Sequence, residues 1–233
     1  MGKFYGIGVG PGDPELITIK AIKTLGNMDM VICPEAKKDK GSIAFSIAKE
    51  YLKENIELLY LTFPMTHDKE VLKEKWRENA LIIKEQLNNG KNIGFITIGD
   101  PMVFSTYMYL LPHLKKEGIE IETIPGITSF CAVASKVNIP LSAGDETLGI
   151  LPLMKDCNNL DKMLDDYDNL IIMKVSHNSA KMADKLEEKG YRDKFVMVSR
   201  CGSDKEEIAY DIDRLKEEKV HYLSTLIVKK KGI

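Results

Sequence analysis

Short apolar runs alternate with helix-period segments along the first half of this chain. FYGIGV (residues 4 to 9), MVIC (30 to 33), IELLYL (56 to 61), NIGFITI (92 to 98) and IEIETI (119 to 124) predict strands. Between them, the segments near 14–25, 42–53, 69–88 and 102–116 carry helix formers. Parallel neighbours need long crossovers, so a regular strand–helix alternation predicts a mostly parallel, doubly wound sheet. The stretch 69–88 is the clearest helix, because Val71, Leu72, Trp76, Ala80, Ile83 and Leu87 recur at helical spacing among Lys and Glu. Such a stripe predicts packing on a core, Trp76 included, rather than a cofactor contact.

A less regular series follows PGITS. It predicts a helix near 127–137, strands near 148–153, 169–174 and 195–199, a further strand near 207–211, and a last strand in YLSTLIVK (222 to 229). More strands than helices at this end predict a second α/β domain with a mixed sheet. The expected domains are residues 1–122, with a glycine-rich loop, and 123–233.

The 233 residues, 44% of them apolar, suffice to bury a core. Acidic residues outnumber basic ones by 35 to 33, so no global positive field recruits nucleic acid. Cys33, Cys131, Cys157 and Cys201 lie far apart with no CxxC pair, and His67, His113, His177 and His221 show no ligand spacing, so no protein-built metal site is expected. The start MGKFYGIGVG lacks the apolar core of a signal peptide, and no run approaches the roughly 20 apolar residues that span a bilayer. The expectation is a cytoplasmic protein with no membrane partner.

Candidate chemistry gathers at three glycine turns. GIGVGPGDPELIT (6 to 18) follows the first strand, where open α/β sheets bind ligands at strand carboxyl ends. Its glycines, at 6, 8, 10 and 12, miss the GxGxxG register, and no GxxxxGK[ST] loop is present. Asp13 is placed to cap a helix that Pro14 starts, so a carboxylate stands where a pyrophosphate would need bare N–H donors. Glu35 stands at about the distance of the ribose-binding acid of NAD proteins, but it cannot offset the wrong glycine register. TIGDPMVFST (97 to 106) repeats the device, with Asp100 as cap and Pro101 as first helical residue. Two acids at one strand edge suit a ligand carrying an ammonium, a ribose diol or a sulfonium, as S-adenosylmethionine does; each acid taken alone is equally explained as an N-cap. The third turn, IPGITSF (124 to 130), would bring Thr128 and Ser129 to the same edge.

Taken together, GVGPGDPELIT, TIGDPMVFST, PGITS and YLSTLIVKK, in this order and spacing, resemble the tetrapyrrole methylase family over essentially the whole chain. Within it, GSDKEEI and YLST look most like the precorrin-2 or cobalt-factor II C20-methyltransferases. The resemblance implies two α/β domains with a ligand cleft between them, a homodimer, S-adenosylmethionine as methyl donor leaving as S-adenosylhomocysteine, and a small tetrapyrrole acceptor on the route to cobalamin. By motif position it implies donor contacts at Pro11, Gly99, Asp100, Val103, Thr128 and Ser129. In the second domain, Met173 in LIIMKVS and Gly202 in SRCGSDKE match a methionine and a glycine beside the donor. Where uroporphyrinogen methylases carry an acid after the second strand, this chain reads VICPEA with Pro34, so that role does not transfer and no catalytic base is named.

Methyl transfer is an in-line displacement that needs alignment and a dry site rather than a nucleophilic triad, and no motif pairs Ser105, Ser129, His113 or His177. Tetrapyrrole intermediates carry many carboxylates, so Lys37, Lys38, Lys174, Arg200 and Lys205, flanking expected loops, are candidate cations, with solvated surface the plain alternative for each. Rival readings are another corrin-ring or diphthamide-type methylase, a non-catalytic nucleoside-binding module, and a dehydrogenase. The sequence does not reveal whether the acceptor already contains cobalt; the Lys- and Ile-rich usage suggests an anaerobe, and the cobalt form of the anaerobic route is the expectation.

Overall fold

The computed structural model describes residues 1–35, 41–64, 68–153, 157–217 and 220–233, with the side chain of His177 also outside the description. The chain divides into two compact units, Met1–Thr128 and Ser129–Ile233.

In the first unit, strands β1 (Phe4–Gly8), β2 (Met30–Glu35), β3 (Glu57–Thr62), β4 (Ile93–Thr97) and β5 (Ile121–Ile124) form one sheet in the order β3-β2-β4-β1-β5. Every pairing is parallel, as the alternation requires. Helices α1 (Ile19–Leu25) and α2 (Ile43–Ala48) cover one face, where Ile7, Val31, Ile96 and Ile124 pack with Ala21, Leu25 and Ile47. Helices α3 (Lys69–Asn88) and α4 (Tyr107–Lys116) cover the other, where Phe4, Ile32, Ile93 and Phe95 meet Ile83, Leu87, Tyr107 and Leu110. On α3 the inner half of the expected stripe, Ala80, Ile83 and Leu87, is buried. Val71 departs from it, being 48% exposed in the first turn of α3, whose buried residues all lie in its second half. Trp76 is half-buried and stacks on Tyr109, ring centroids 5.0 Å apart.

The structure corrects two expected helix starts. Asp13 and Pro14 begin only a 3₁₀ turn, Pro14–Leu16, and α1 starts at Ile19 with Thr18 as its N-cap. Pro101 does not open α4; residues 101–106 are irregular and the helix begins at Tyr107. In both places the Asp-Pro pair makes a tight turn that closes on its own aspartate, and the chain needs a further segment to swing back over the sheet.

In the second unit, β6 (Leu148–Pro152), β7 (Asn169–Met173), β8 (Phe195–Ser199), β9 (Glu207–Ala209) and β10 (Ser224–Lys229) lie in the order β6-β7-β10-β8-β9. Only β6–β7 is parallel; β10 runs antiparallel to both neighbours, which makes the sheet mixed. Helix α5 (Ser129–Val137) precedes it. Helices α6 (Leu160–Asp166), α7 (Ser179–Glu188) and α8 (Ile212–Lys216), none expected from the sequence, fill one side of its core through Leu160, Leu164, Met182, Leu186 and Leu215.

Candidate functional site

The parallel register brings the carboxyl ends of β1, β4 and β5 side by side. Gly8 pairs with Thr97 and Ile7 with Ile124, so the three glycine turns leave the sheet together. Gly10 and Gly99 bridge the first two turns, the Gly99 N–H donating to the Gly10 carbonyl at 2.7 Å. Gly99 has φ +68°, in the left-handed region where a side chain is strained. A Cβ on Gly8 would stand 2.6 Å from the Gly126 nitrogen, and one on Gly126 would stand 2.1 Å from the Gly99 oxygen. The turns are therefore packed backbone against backbone.

Asp100 ties this assembly together. Its Oδ1 accepts the Met102 N–H at 2.8 Å and its Oδ2 accepts the Gly126 N–H at 3.0 Å, joining the second turn to the third. Asp13 closes only its own turn, accepting the Glu15 N–H at 2.9 Å, while Thr18 Oγ1 accepts the Ala21 N–H at 3.1 Å. Each of the two N-terminal turns after β1 thus has a side-chain cap on one of its donors, and the cap of the first is a carboxylate, which disfavours a phosphate there. Pro11 and Gly99 are buried; Asp100, Val103 and Thr128 are half-buried. Among the described residues the Thr128 hydroxyl is buried without a hydrogen-bond partner, and of the about four lone-pair positions of a carboxylate Asp100 uses two. An orphaned hydroxyl and spare carboxylate lone pairs beside a side-chain-free glycine cradle fit a ligand bearing an ammonium and ribose hydroxyls.

Ser129, the next residue, opens α5 in the second unit. Met173 ends β7, pairing with Thr225, and Ser224 pairs with Ser199, from which the turn containing Gly202 departs. Met173 and Gly202 therefore stand at one edge of the second sheet, with Lys174 and Arg200. Both cations hold left-handed backbones, φ 59° and 51°, and both are half-buried. Burial holds the Lys174 ammonium below its ordinary pKa. Lys205 is exposed, and Lys37 and Lys38 lie outside the described residues.

The sequence reading missed two groups at this edge. Glu206 closes the turn, accepting the Gly202 N–H and the Lys136 ammonium, each at 2.7 Å. Burial pushes its carboxyl up, but the Gly202 N–H and Lys136 outweigh it and hold the pKa below the usual range. Ser199, Ser224 and His221 form a chain: the two hydroxyls lie 2.6 Å apart, and Ser224 donates to the His221 carbonyl at 2.6 Å. The acid four residues after Gly202 was the available signal for the first; nothing local marks the second.

Other candidates have structural roles. Ser105 is buried and donates to the Pro101 carbonyl. His113 lies beside Trp76, and burial, then Lys116 and Lys73, hold its pKa down. Glu35 is buried and accepts the Gly41 N–H at 3.1 Å; its neighbour Cys33 is pushed up to about 12 by burial and by Glu35.

Two successive α/β units, the first with glycine turns at the carboxyl edge of an all-parallel sheet and the second with a mixed sheet, define a class of two-unit α/β protein with a ligand-sized cradle at the first sheet's edge. The chain belongs to the Tetrapyrrole (Corrin/Porphyrin) Methylases, whose family profile matches residues 3–216. It is 41% identical over 233 residues to the "Probable cobalt-precorrin-2 C(20)-methyltransferase" of Methanocaldococcus jannaschii, covering 98% of this chain and 96% of that one. It is 32% identical over 231 residues to the cobalt-precorrin-2 C(20)-methyltransferase of Salmonella typhimurium, covering 98% and 97%. It shares its fold with the uroporphyrin-III C-methyl transferase of Thermus thermophilus in complex with S-adenosylhomocysteine, at a TM-score of 0.71 and 21% identity over 98% of this chain and 92% of that one.

Proposed function

We propose that this chain transfers a methyl group from S-adenosylmethionine to C20 of cobalt-precorrin-2, or of its metal-free counterpart precorrin-2, in cobalamin biosynthesis. The observation that carries the reading is similarity, along nearly the full length of both chains, to relatives bearing that name. The cobalt form is favoured because both names specify it.

In this reading Pro11, Gly99, Asp100, Val103, Thr128, Ser129, Met173 and Gly202 contact the methyl donor. The donor, when bound, supplies an electrophilic sulfonium methyl. The spare lone pairs of Asp100 accept from an ammonium or a ribose hydroxyl, and the glycine turns let the ligand approach backbone without meeting side chains. Rate enhancement then comes from holding the two reactants in line: the electron-rich pigment forms the C20–methyl bond as the sulfonium S–methyl bond breaks, S-adenosylhomocysteine leaves, and the C20 proton passes to water. We further read the protein as a cytoplasmic homodimer, which light scattering during gel filtration tests.

The deciding experiment offers the purified protein S-adenosylmethionine with each pigment under anaerobic conditions. The expected product gains one methyl, placed at C20 by ¹³C NMR from labelled donor. A methyl at another carbon, or transfer to neither pigment, overturns the reading.

A further inference from the structure

Among the described residues, the second unit keeps a cation with no counter-ion. Of the four arginines, Arg192 pairs with Glu187 and Asp213, and Arg214 with Glu207 and Glu217, while Arg77 is exposed to water. Arg200 is half-buried, and its Nε is buried with no hydrogen-bond partner among the described residues. Burying part of a guanidinium unpaired is unfavourable, and a left-handed backbone at a residue with a side chain adds to the cost. The fold nevertheless holds this residue firmly. Its N–H donates to the Leu223 carbonyl at 2.7 Å, and its carbonyl accepts from Ser203 N–H at 3.0 Å and Ser203 Oγ at 2.9 Å.

A second donor is held by the same network. His221 Nδ1 accepts the Leu223 N–H at 3.1 Å, so the proton of the neutral ring sits on Nε2. His221 is exposed overall, yet partial burial of its ring, then the positive charge of Arg200, hold it below its ordinary pKa, which favours the neutral ring. The Ser199–Ser224–His221 chain fixes the segment that carries both contacts. The Glu206 carboxylate in the same turn is already paired with Lys136, so among the described residues a forked cation and a neutral N–H donor carry one uncompensated positive charge, which matches a single carboxylate.

We infer that Arg200 and His221 form a seat for a side-chain carboxylate of the tetrapyrrole acceptor. The inference rests on the methyl-transfer reading above and adds to it a specificity site for the pigment. The acceptor brings several carboxylates and the methyl donor one, and the test separates these two sources.

Arg200→Gln removes the charge, Arg200→Lys keeps it without the fork, and His221→Asn retains an acceptor for the Leu223 N–H while removing Nε2–H. With cobalt-precorrin-2 under anaerobic conditions, R200Q should raise KM for the pigment about tenfold or more with kcat within about threefold, and R200K and H221N should give smaller rises. Because Nε is buried with no partner among the described residues, R200Q should melt at or above the wild-type temperature and bind S-adenosylhomocysteine with unchanged affinity by calorimetry. Unchanged pigment KM in R200Q overturns the inference, as does a fall in S-adenosylhomocysteine affinity, which would assign the arginine to the donor. A lower melting temperature in both R200Q and R200K overturns it as well, by making the residue structural. If the wild-type protein methylates neither pigment, the methyl-transfer reading fails on its own; absorbance titration of the pigment into wild type and R200Q still tests the seat, and equal affinity overturns it.

Discussion

Asp100 holds two backbone N–H groups from different turns on one carboxylate, and this makes it vulnerable to the smallest possible change. In Asp100→Asn one oxygen becomes an amide NH₂, which faces either the Met102 or the Gly126 N–H donor to donor. A loss of about 1–3 kcal/mol of stability is expected, read as a lower urea midpoint, together with weaker S-adenosylhomocysteine binding by calorimetry. Unchanged stability would show that the two turns do not depend on this clamp. Gly126 is a sharper case, since an added methyl meets the Gly99 oxygen, a backbone atom that cannot rotate away. Gly126→Ala should cost about 1–3 kcal/mol or more and weaken donor binding, whereas the same change at Gly90, where a Cβ meets nothing within 4 Å, should carry only the strain of its positive φ.

Among elements, the turn after β8 depends on a helix far from it in sequence. Lys136 sits in the last turn of α5 and reaches Glu206, which in turn holds the Gly202 N–H. Glu206→Gln should cost about 1–3 kcal/mol near neutral pH, measured by urea denaturation. Because the folded pKa of Glu206 lies below its ordinary 4.5, the wild-type advantage is complete above that value and disappears as pH falls through the folded one, so the two proteins should converge in acid. A gap that stays constant down to acid pH would deny the carboxylate this role. At the other end, Asp68 caps the twenty-residue α3 by accepting the N–H groups of Glu70 and Val71. Asp68→Ala should lose about 1 kcal/mol, with helix content reported by circular dichroism.

For the whole molecule the acid limb of stability follows from the same sign. Glu117, Glu122, Glu146, Asp161, Asp168 and Glu187 have pKa values lowered by hydrogen bonds and charged partners. His113 and His221 are lowered as well, chiefly by burial. All these groups bind protons more readily when the chain unfolds, so stability should begin to fall below the ordinary histidine value of 6.5 and drop further as the carboxylates protonate. Urea midpoints at about pH 7, 5.5 and 4 should decrease in that order. A higher midpoint at acid pH would contradict the assignment of these pairs.

Local pattern determined the architecture of the first unit, because its central strands β1, β2 and β4, buried on both faces, read as apolar runs and the crossovers as helix-period segments. It also located the three glycine turns, since a chain that must leave a sheet edge with positive φ or approach another backbone closely uses glycine whatever surrounds it. The helices α6, α7 and α8 escaped for different reasons. Helix α8 is five residues long and too short to show a period, whereas Met182, Ala183 and Leu186 did trace a stripe along α7. Only the tertiary structure decided what the polar groups do. Asp100 reads locally as a helix cap, yet it bonds across 26 residues to Gly126, and Glu206 meets a lysine 70 residues away. Partners of that kind are chosen by which strands end side by side, a consequence of sheet order that leaves no mark in the residues next to them.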